Sequence, residues 1–506
     1  TASLMANVGN LLLAASGEIV TRGFALEVLD RAAAAGAASP HWKDRGVPGC
    51  TLDSERFKVV LIDMLQEAGV TILTHALAAR PILEDGAVAG VFLEGKSGRQ
   101  ALRARAVVDA TGEADLAWQA GAQTRRSRGT ASTLFALEGV DVEAFIAFLK
   151  SRPEEFPAMH DFVRDIEVFE RNWRERGIFF FPHVSGARGD WPALNRLLAE
   201  SGFAPEKECP EYRETRMGMY AIKGGSVAIN SNVYVVGDLD VRLLSRLELH
   251  AQRMCYRAAD LLRRHMPGFE RSRVAHIGVD LGVRVSRSIV GRETLGVGAV
   301  RGGAPSRCDS AIALSPVRVE APGRKAFVED FTFDIPFGVL VPQGCEGLLV
   351  ASAKSISTQP AGLIRGMSGC MACGQAAGVG AALAAQKGIP PSAVPVRDIQ
   401  RALLKQVPWK RFHWEPGKDW EDVDWVARDH YLTKREIKEQ FGKDPDSEAV
   451  RTEDDEKTGT DKYANPYRVT EIWNRIDRKV YVIGWDFSEP LEVRDDKLML
   501  ADFFPC

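Results

Sequence analysis

The chain has 506 residues, of which 45% are hydrophobic and 26% charged, with a formal net charge of -3. This is ordinary globular composition with length for roughly two to four domains, and its charge balance does not suggest a nucleic-acid surface. The cysteines Cys50, Cys209, Cys255, Cys308, Cys345, Cys370, Cys373 and Cys506 follow no disulfide-framework spacing. That scatter points to a reducing compartment. No basic, apolar and small-residue leader opens the chain, and no apolar run reaches the roughly 18 residues that span a bilayer. A soluble cytoplasmic protein without membrane contact is therefore expected.

In chain order, Ser54 to Leu65 places apolar residues three and four apart, which predicts a helix that Gly69 terminates. Val70 to Thr74 reads as a strand. Asp85-Gly86 and Ser97-Gly98 are hairpin-type turns around Val88 to Leu93, predicting a small antiparallel unit. Arg105 to Asp115 then runs as a buried strand into a Thr111-Gly112 turn followed by an acid. Asp115 precedes Leu116-Ala117-Trp118 and reads equally well as the first acid of a helix.

Residues 126 to 275 are mixed. Helices are expected over Glu143 to Lys150 and Leu239 to Arg264, and strands at Phe179-Phe180-Phe181 and Val233 to Val236. His183, among aromatics, could face a substrate, although a lone histidine beside an apolar strand is more often a satisfied structural group. In Gly282-Val283-Arg284-Val285-Ser286-Arg287, strand alternation puts Arg284 and Ser286 on one face and Arg287 on the other. Gly296-Val297-Gly298 lacks a third glycine at the spacing of a phosphate-binding turn and reads as a plain turn.

The stretch from Cys345 to Gly388 is strand, loop, helix: Gly347 to Ser352 is a short apolar run, Ser355-Ile356-Ser357-Thr358 a polar loop, and Gly369 onward an Ala/Gly helix. Gly374 and Gly378, placed near the helix start, would leave backbone N–H groups bare for an electron-rich ligand, since a helix N-terminus carries roughly half a positive charge. The alternative is a helix with little side-chain bulk, packed tightly on a sheet. Cys370-x-x-Cys373 has no second pair or spaced histidines to complete a zinc site. Small polarizable residues at a crowded helix start account for it more simply than a dithiol relay.

Three segments together carry a family resemblance. Ala110-Thr111-Gly112-Glu113-Ala114-Asp115 is similar to an Ala-Thr-Gly-x-x-Asp signature. Gly282 to Arg287 is similar to a Gly-Val-Arg-x-Ser-Arg segment. Leu348 to Ala351, Ile356-Ser357 and Cys370 to Gly378 resemble a C-terminal flavin-binding segment. All three resemble FAD-dependent oxidoreductases of the glutathione-reductase-like, two-dinucleotide-domain superfamily. The resemblance implies an α/β fold with an α+β cap, a Rossmann-like FAD-binding domain over residues 1–125 and 276–405, and an inserted substrate domain over 126–275. It implies FAD held by Ala110, Thr111, Gly112, Asp115, Ile356, Ser357, Gly374, Gln375, Ala376 and Gly378, and a small-molecule substrate exchanging hydride with the flavin. Arg284 and Arg287 are the catalytic candidates, binding an acidic substrate or stabilising the reduced ring, with a surface ion pair as the other reading. The Gly-x-Gly-x-x-Gly unit that the resemblance calls for would precede Thr1, so the domain is expected to be incomplete and its affinity for FAD reduced.

Composition changes near Gln406. Six of the 10 tryptophans (Trp409, Trp414, Trp420, Trp425, Trp473 and Trp485) lie beyond it, in a far more charged stretch. A helix ended by Gly442 and a hairpin over Val469–Asn474 and Lys479–Ile483 are expected there. This stretch resembles a fragment of tailed-phage portal proteins, which implies an α+β piece over 407–506, ring assembly as its context, and a chimaeric chain.

Overall fold

The computed structural model describes residues 7–8, 21, 23–44, 47, 49–152, 166–185, 194, 197–198, 200, 205–296, 310–319, 327–406, 425–432, 434–443, 467–474, 479–484 and 492–495. Two helices, α1 (Phe24–Ala34) and α2 (Ser54–Glu67), come first and share an apolar cluster built on Val28, Leu29, Trp42, Phe57 and Val60. Asp53 starts α2 by accepting from the N–H groups of Glu55 and Arg56, and Gly69 ends it with φ 69°. The strand expected at Val70–Thr74 is absent. Val70, Ile72 and Leu73 are exposed, and among the described residues no strand pairs with them to satisfy their backbone groups. The antiparallel unit is present as β1 (Ala76–Glu84), β2 (Ala87–Gly95) and β3 (Gly98–Arg103). Its first turn is Asp85-Gly86, with φ 49° and 80°, the left-handed pair a two-residue hairpin needs. The second is Lys96-Ser97, one residue before the expected position, because Gly95 pairs with Gly98.

The buried strand β4 (Val107–Asp109) leads into the short helix α3 (Asp115–Gln119). Next in the chain are β5 (Gly129–Glu138), α4 (Val142–Ser151), α5 (Ile166–Arg176), β6 (Ile178–Ser185), β7 (Arg216–Ile222), β8 (Val227–Val236), α6 (Val241–His265) and β9 (Arg273–Ile277). Strands β9-β5-β8-β7-β6 form the spine of a seven-stranded antiparallel sheet. One sheet face carries Phe135, Leu137, Ile229, Met217, Met219, Phe179 and Phe181, and helices α4, α5 and α6 cover it. Phe145 packs edge-on against Phe179, Phe181 and Phe269 there, with ring centroids 5.3–6.0 Å apart. Alternation turns Ser132, Leu134, Asn230 and Tyr220 to the other face. On that side His276 of β9 meets Ser54 at the start of α2, Nε2 to Oγ 3.4 Å.

The chain then returns through the antiparallel pair β10 (Ala311–Val319) and β11 (Phe327–Pro336) to β12 (Leu348–Val350). β12 pairs in parallel with β4, Leu348 opposite Val107 and Val350 opposite Asp109. Helix α7 (Met367–Lys387) packs across both strands, and α8 (Val396–Gln406) packs on α7. Gly380 keeps α7 close to the sheet, since an added Cβ would meet Leu349 at 3.3 Å. By length and composition α7 is apolar enough to cross a bilayer; here it lies in the core between β12, α1 and α8.

Beyond Gln406, β13 (Trp425–Leu432), β14 (Tyr467–Asn474), β15 (Lys479–Gly484) and β16 (Glu492–Asp495) form an antiparallel meander. Among the described residues this sheet pairs with no strand of the first 406. Helix α9 (Lys434–Phe441) ends at Gly442, φ 68°, as expected. Trp409, Trp414, Trp420 and Trp485, together with Val297-Gly298, lie outside the described residues, as does the His183 side chain.

Candidate flavin site

The carboxyl end of β4 is organised by Asp109, which is fully buried. One of its oxygens accepts from the Thr111 N–H (3.0 Å) and hydroxyl (2.7 Å), and the other from the Ala117 N–H at 2.9 Å. Thr111 Oγ1 in turn accepts from the Asp115 N–H at 2.9 Å. One carboxylate thus folds the strand end back onto α3 and leaves Ala110 and Thr111 exposed at the tip of a buried strand. Gly112 follows with φ 99°, a conformation L side chains rarely adopt.

The loop after β12 comes alongside because the two strands are paired. Lys354 from that loop crosses Gly112: a Cβ added there would stand 2.7 Å from Lys354 Cε and 2.9 Å from Nζ. Its ammonium pairs with Glu113 and donates to the Val283 carbonyl at 2.9 Å. Burial raises the Glu113 carboxyl above its ordinary value despite the lysine. The start of α7 reaches the same loop, since an added Cβ on Gly369 would lie 3.6 Å from that of Ala353.

The glycines that the sequence suggested at the helix start are elsewhere. Helix α7 begins at Met367, so Gly374 and Gly378 sit about two and three turns inside it. Its first internal bond runs from Cys370 N–H to the Gly366 carbonyl, and Gly366 supplies no side-chain cap. The open N–H groups are therefore those of Met367, Ser368 and Gly369. Gly378 is exposed, Ala376 is fully buried, and Gln375 accepts from the Phe24 N–H at 3.0 Å, tying α7 to the first turn of α1. Ile356 and Ser357 are fully buried, and their N–H groups bond to Ser352 and Val339 carbonyls.

Arg287 and Asp115 are paired with each other. The buried Arg287 guanidinium also donates to the Glu113 carbonyl at 2.8 Å and lies 4.4 Å from the centre of the Trp118 ring. Arg284, three residues earlier, turns to the sheet instead and donates to Ser132 Oγ at 2.8 Å and Asn230 Oδ1 at 3.4 Å. Burial and repulsion from Arg216 pull it down to about 10. Cys370 and Cys373 are free thiols, and burial raises both above the ordinary thiol value. No group of metal-binding side chains occurs among the described residues.

Asp109, Glu113, Lys354, Ser132 and Asn230 were missed as site residues by the sequence reading. Asp109 had a local signal, an acid closing an apolar strand before a Thr-Gly turn. The others are recognisable only through contacts between segments 54 to 241 residues apart in the chain.

The site is thus a pair of parallel strands ending at a Thr-Gly turn, with the uncapped start of a long helix beside it, in a mixed α/β chain. Open N–H groups at a positive helix end fit the electron-rich part of a flavin. The profile of FAD dependent oxidoreductases matches residues 1–403; the chain belongs to that family, and FAD is its cofactor. No curated protein matches the sequence.

Solved structures similar to it include a geranylgeranyl bacteriochlorophyll reductase-like protein from Thermoplasma acidophilum, with 12% identity over 71% of this chain and 61% of that one, TM-score 0.31. p-Nitrophenol 4-monooxygenase from Pseudomonas putida has 11% identity over 72% and 64%, TM-score 0.33. Iminodiacetate oxidase from Chelativorans sp. has 13% identity over 69% and 59%, TM-score 0.26. The chain thus spans less than two thirds of the length of these proteins.

Proposed function

We propose that the chain is an oxidoreductase acting on a small molecule, with residues 1–125 and 276–405 forming the FAD-binding part and 126–275 the substrate domain. When bound, FAD supplies hydride exchange with that substrate. The observation that carries this reading is the convergence of three elements, the ends of β4 and β12 and the start of α7, on Lys354 above Gly112. Ala110 and Thr111 offer exposed backbone to the cofactor, while the space beside Gly112 is taken by Lys354. Met367, Ser368 and Gly369 offer N–H donors, while Lys354, paired with Glu113, ties the loop after β12 to the turn after β4. Asp109 holds the turn rigid, while Arg287 and Asp115 brace it from behind. Gln375 positions α7 by its bond to α1.

The test is flavin content. Purified protein, as the chain stands and extended by a βαβ unit carrying a Gly-x-Gly-x-x-Gly turn, is assayed for visible flavin absorbance and for FAD released on denaturation. Stoichiometric FAD in either form supports the reading. A colourless protein that takes up no FAD on reconstitution, with or without the extension, ends it.

A second reading concerns residues 407–506 alone, as a portal-like structural piece. What favours it is the composition break and a meander that pairs with no strand of the first 406 residues, among those described. Size measurement separates the two, since a large ring belongs to the portal reading and a monomer or dimer to the enzyme.

A further inference from the structure

The two arginines in the segment from Gly282 to Ile289, the buried Arg287 and the half-buried Arg284, are treated differently by the fold. Arg287 has a carboxylate, a carbonyl and an aromatic face. Arg284 has two neutral acceptors, Ser132 Oγ and Asn230 Oδ1, both reached from the same Nη2 nitrogen. A guanidinium is always charged and carries five N–H donors, so the hydrogens on Nε and Nη1 are left without partners among the described residues. No carboxylate pairs with it there, and the charged group nearest in effect is another cation, Arg216. Arg216 is itself matched, bonded to the buried Glu214 at 2.6 Å. Arg284 is half-buried, so a cation held against the sheet with no carboxylate beside it keeps its unpaired N–H groups free to take an anion from solution.

A second observation lies in the same part of the sheet. Opposite Ser132 the register of β8 slips between Ser231 and Val233. Asn232, in that bulge, is fully buried with φ 46°, and neither of its amide atoms has a hydrogen-bond partner. Ser286 Oγ, two residues after Arg284, is also buried and unpartnered. Bulges, left-handed non-glycine residues and unsatisfied polar atoms concentrate where a ligand completes the structure. Arg284 remains partly accessible. It also adjoins the flavin site through the chain: the carbonyl of Val283 binds Lys354, and Val285 abuts Gly129 and Gly362, the latter in the loop leading into α7.

We infer that the substrate carries a carboxylate, which Arg284 binds on the face of the sheet turned away from α4, α5 and α6. The inference rests on the flavoprotein reading for the word substrate, but the anion site stands on its own geometry. A carboxylate matches the planar fork of a guanidinium and supplies one compact negative charge. The substrate domain thus contributes a charge selector.

The experiment uses benzoate, its neutral counterpart benzamide, and inorganic phosphate as probes on the purified protein, read by thermal melting and, where flavin is bound, by perturbation of its visible spectrum. Benzoate should bind saturably and raise the melting temperature, with benzamide and phosphate without effect. R284M should weaken benzoate at least about tenfold, as expected when one partner of a half-buried charge pair is removed. R284K, which keeps the charge and loses the fork, should fall between.

Because the guanidinium has no counter-charge to lose, R284M should melt no lower than wild type in the absence of probe. A marked loss of stability assigns Arg284 a structural role and overturns the inference. Equal benzoate binding by wild type and R284M overturns it, as does no benzoate binding to wild type or Arg284-dependent binding of phosphate instead. Loss of flavin from a folded R284M places Arg284 on the cofactor and also overturns it. A protein without flavin whose benzoate response still depends on Arg284 keeps the anion site and fails the flavoprotein reading, so the two are separable.

Discussion

Lys354 lies directly over Gly112, its Cε 2.7 Å from where a Cβ on that glycine would stand. The glycine is bare both because its backbone is left-handed and because another chain segment fills the space above it. Gly112→Ala should lower stability by about 1–3 kcal/mol through backbone strain alone. Adding Lys354→Ala should recover only the part due to the clash, as measured by denaturant unfolding of the single and double variants. Full recovery would show that the φ of 99° carries no strain.

The Glu113 carboxyl, ordinarily near 4.5, is raised by burial more than Lys354 lowers it. A carboxyl with a folded pKa above its unfolded one binds more protons in the folded state. Its contribution is therefore most favourable below the unfolded value, and stability declines as pH rises through the window up to the folded value. Melting temperature against pH should fall across that window in wild type, and Glu113→Gln should flatten the decline. Identical slopes would remove Glu113 as the cause.

Removing the buried Asp109 side chain deprives three donors of their acceptors. Asp109→Ala should cost about 2–4 kcal/mol, with Asp109→Asn less damaging because one acceptor oxygen survives. Flavin retention should fall in the same order, since the turn at 110–112 loses its anchor. A variant that unfolds as wild type does, in a denaturant titration, would contradict this role.

Gln375 joins α7 to the N-terminus of α1 through a partly exposed bond. Gln375→Ala should cost about 1 kcal/mol, and Gln375→Glu, which keeps the accepting oxygen, should cost less. Gly23→Ala should be worse than either, because its added Cβ would stand 2.5 Å from Gln375 Oε1 on a backbone with φ 65°. Urea midpoints for the three variants test the order.

Much of the fold was readable locally. The helices at 54–67, 142–151, 241–265 and 367–387, the hairpin at Asp85-Gly86 and the apolar strands before Thr111 and Ser352 all follow from spacing, caps and turns within a few residues. The miss at Val70–Thr74 has the opposite cause: apolar, β-prone residues make a strand only when a neighbour pairs with their backbone. Misplacing Gly374 and Gly378 came from treating the Ala/Gly pattern as marking the helix start. Met367-Ser368 contains nothing that breaks a helix, so the helix extends back to Gly366.

The sequence by itself determined the two strand-turn segments and the glycine at 112, because these depend on neighbours in the chain; the strand alternation expected over Gly282–Arg287 is broken by a bend at Val285-Ser286. Only tertiary structure decided that Lys354 covers Gly112, that Gln375 serves α1, and that Arg287 is paired with Asp115 while Arg284 has only neutral partners. A side chain's electrostatic role is set by what strand pairing and helix packing bring within a few ångströms, and those partners are tens to hundreds of residues away along the chain.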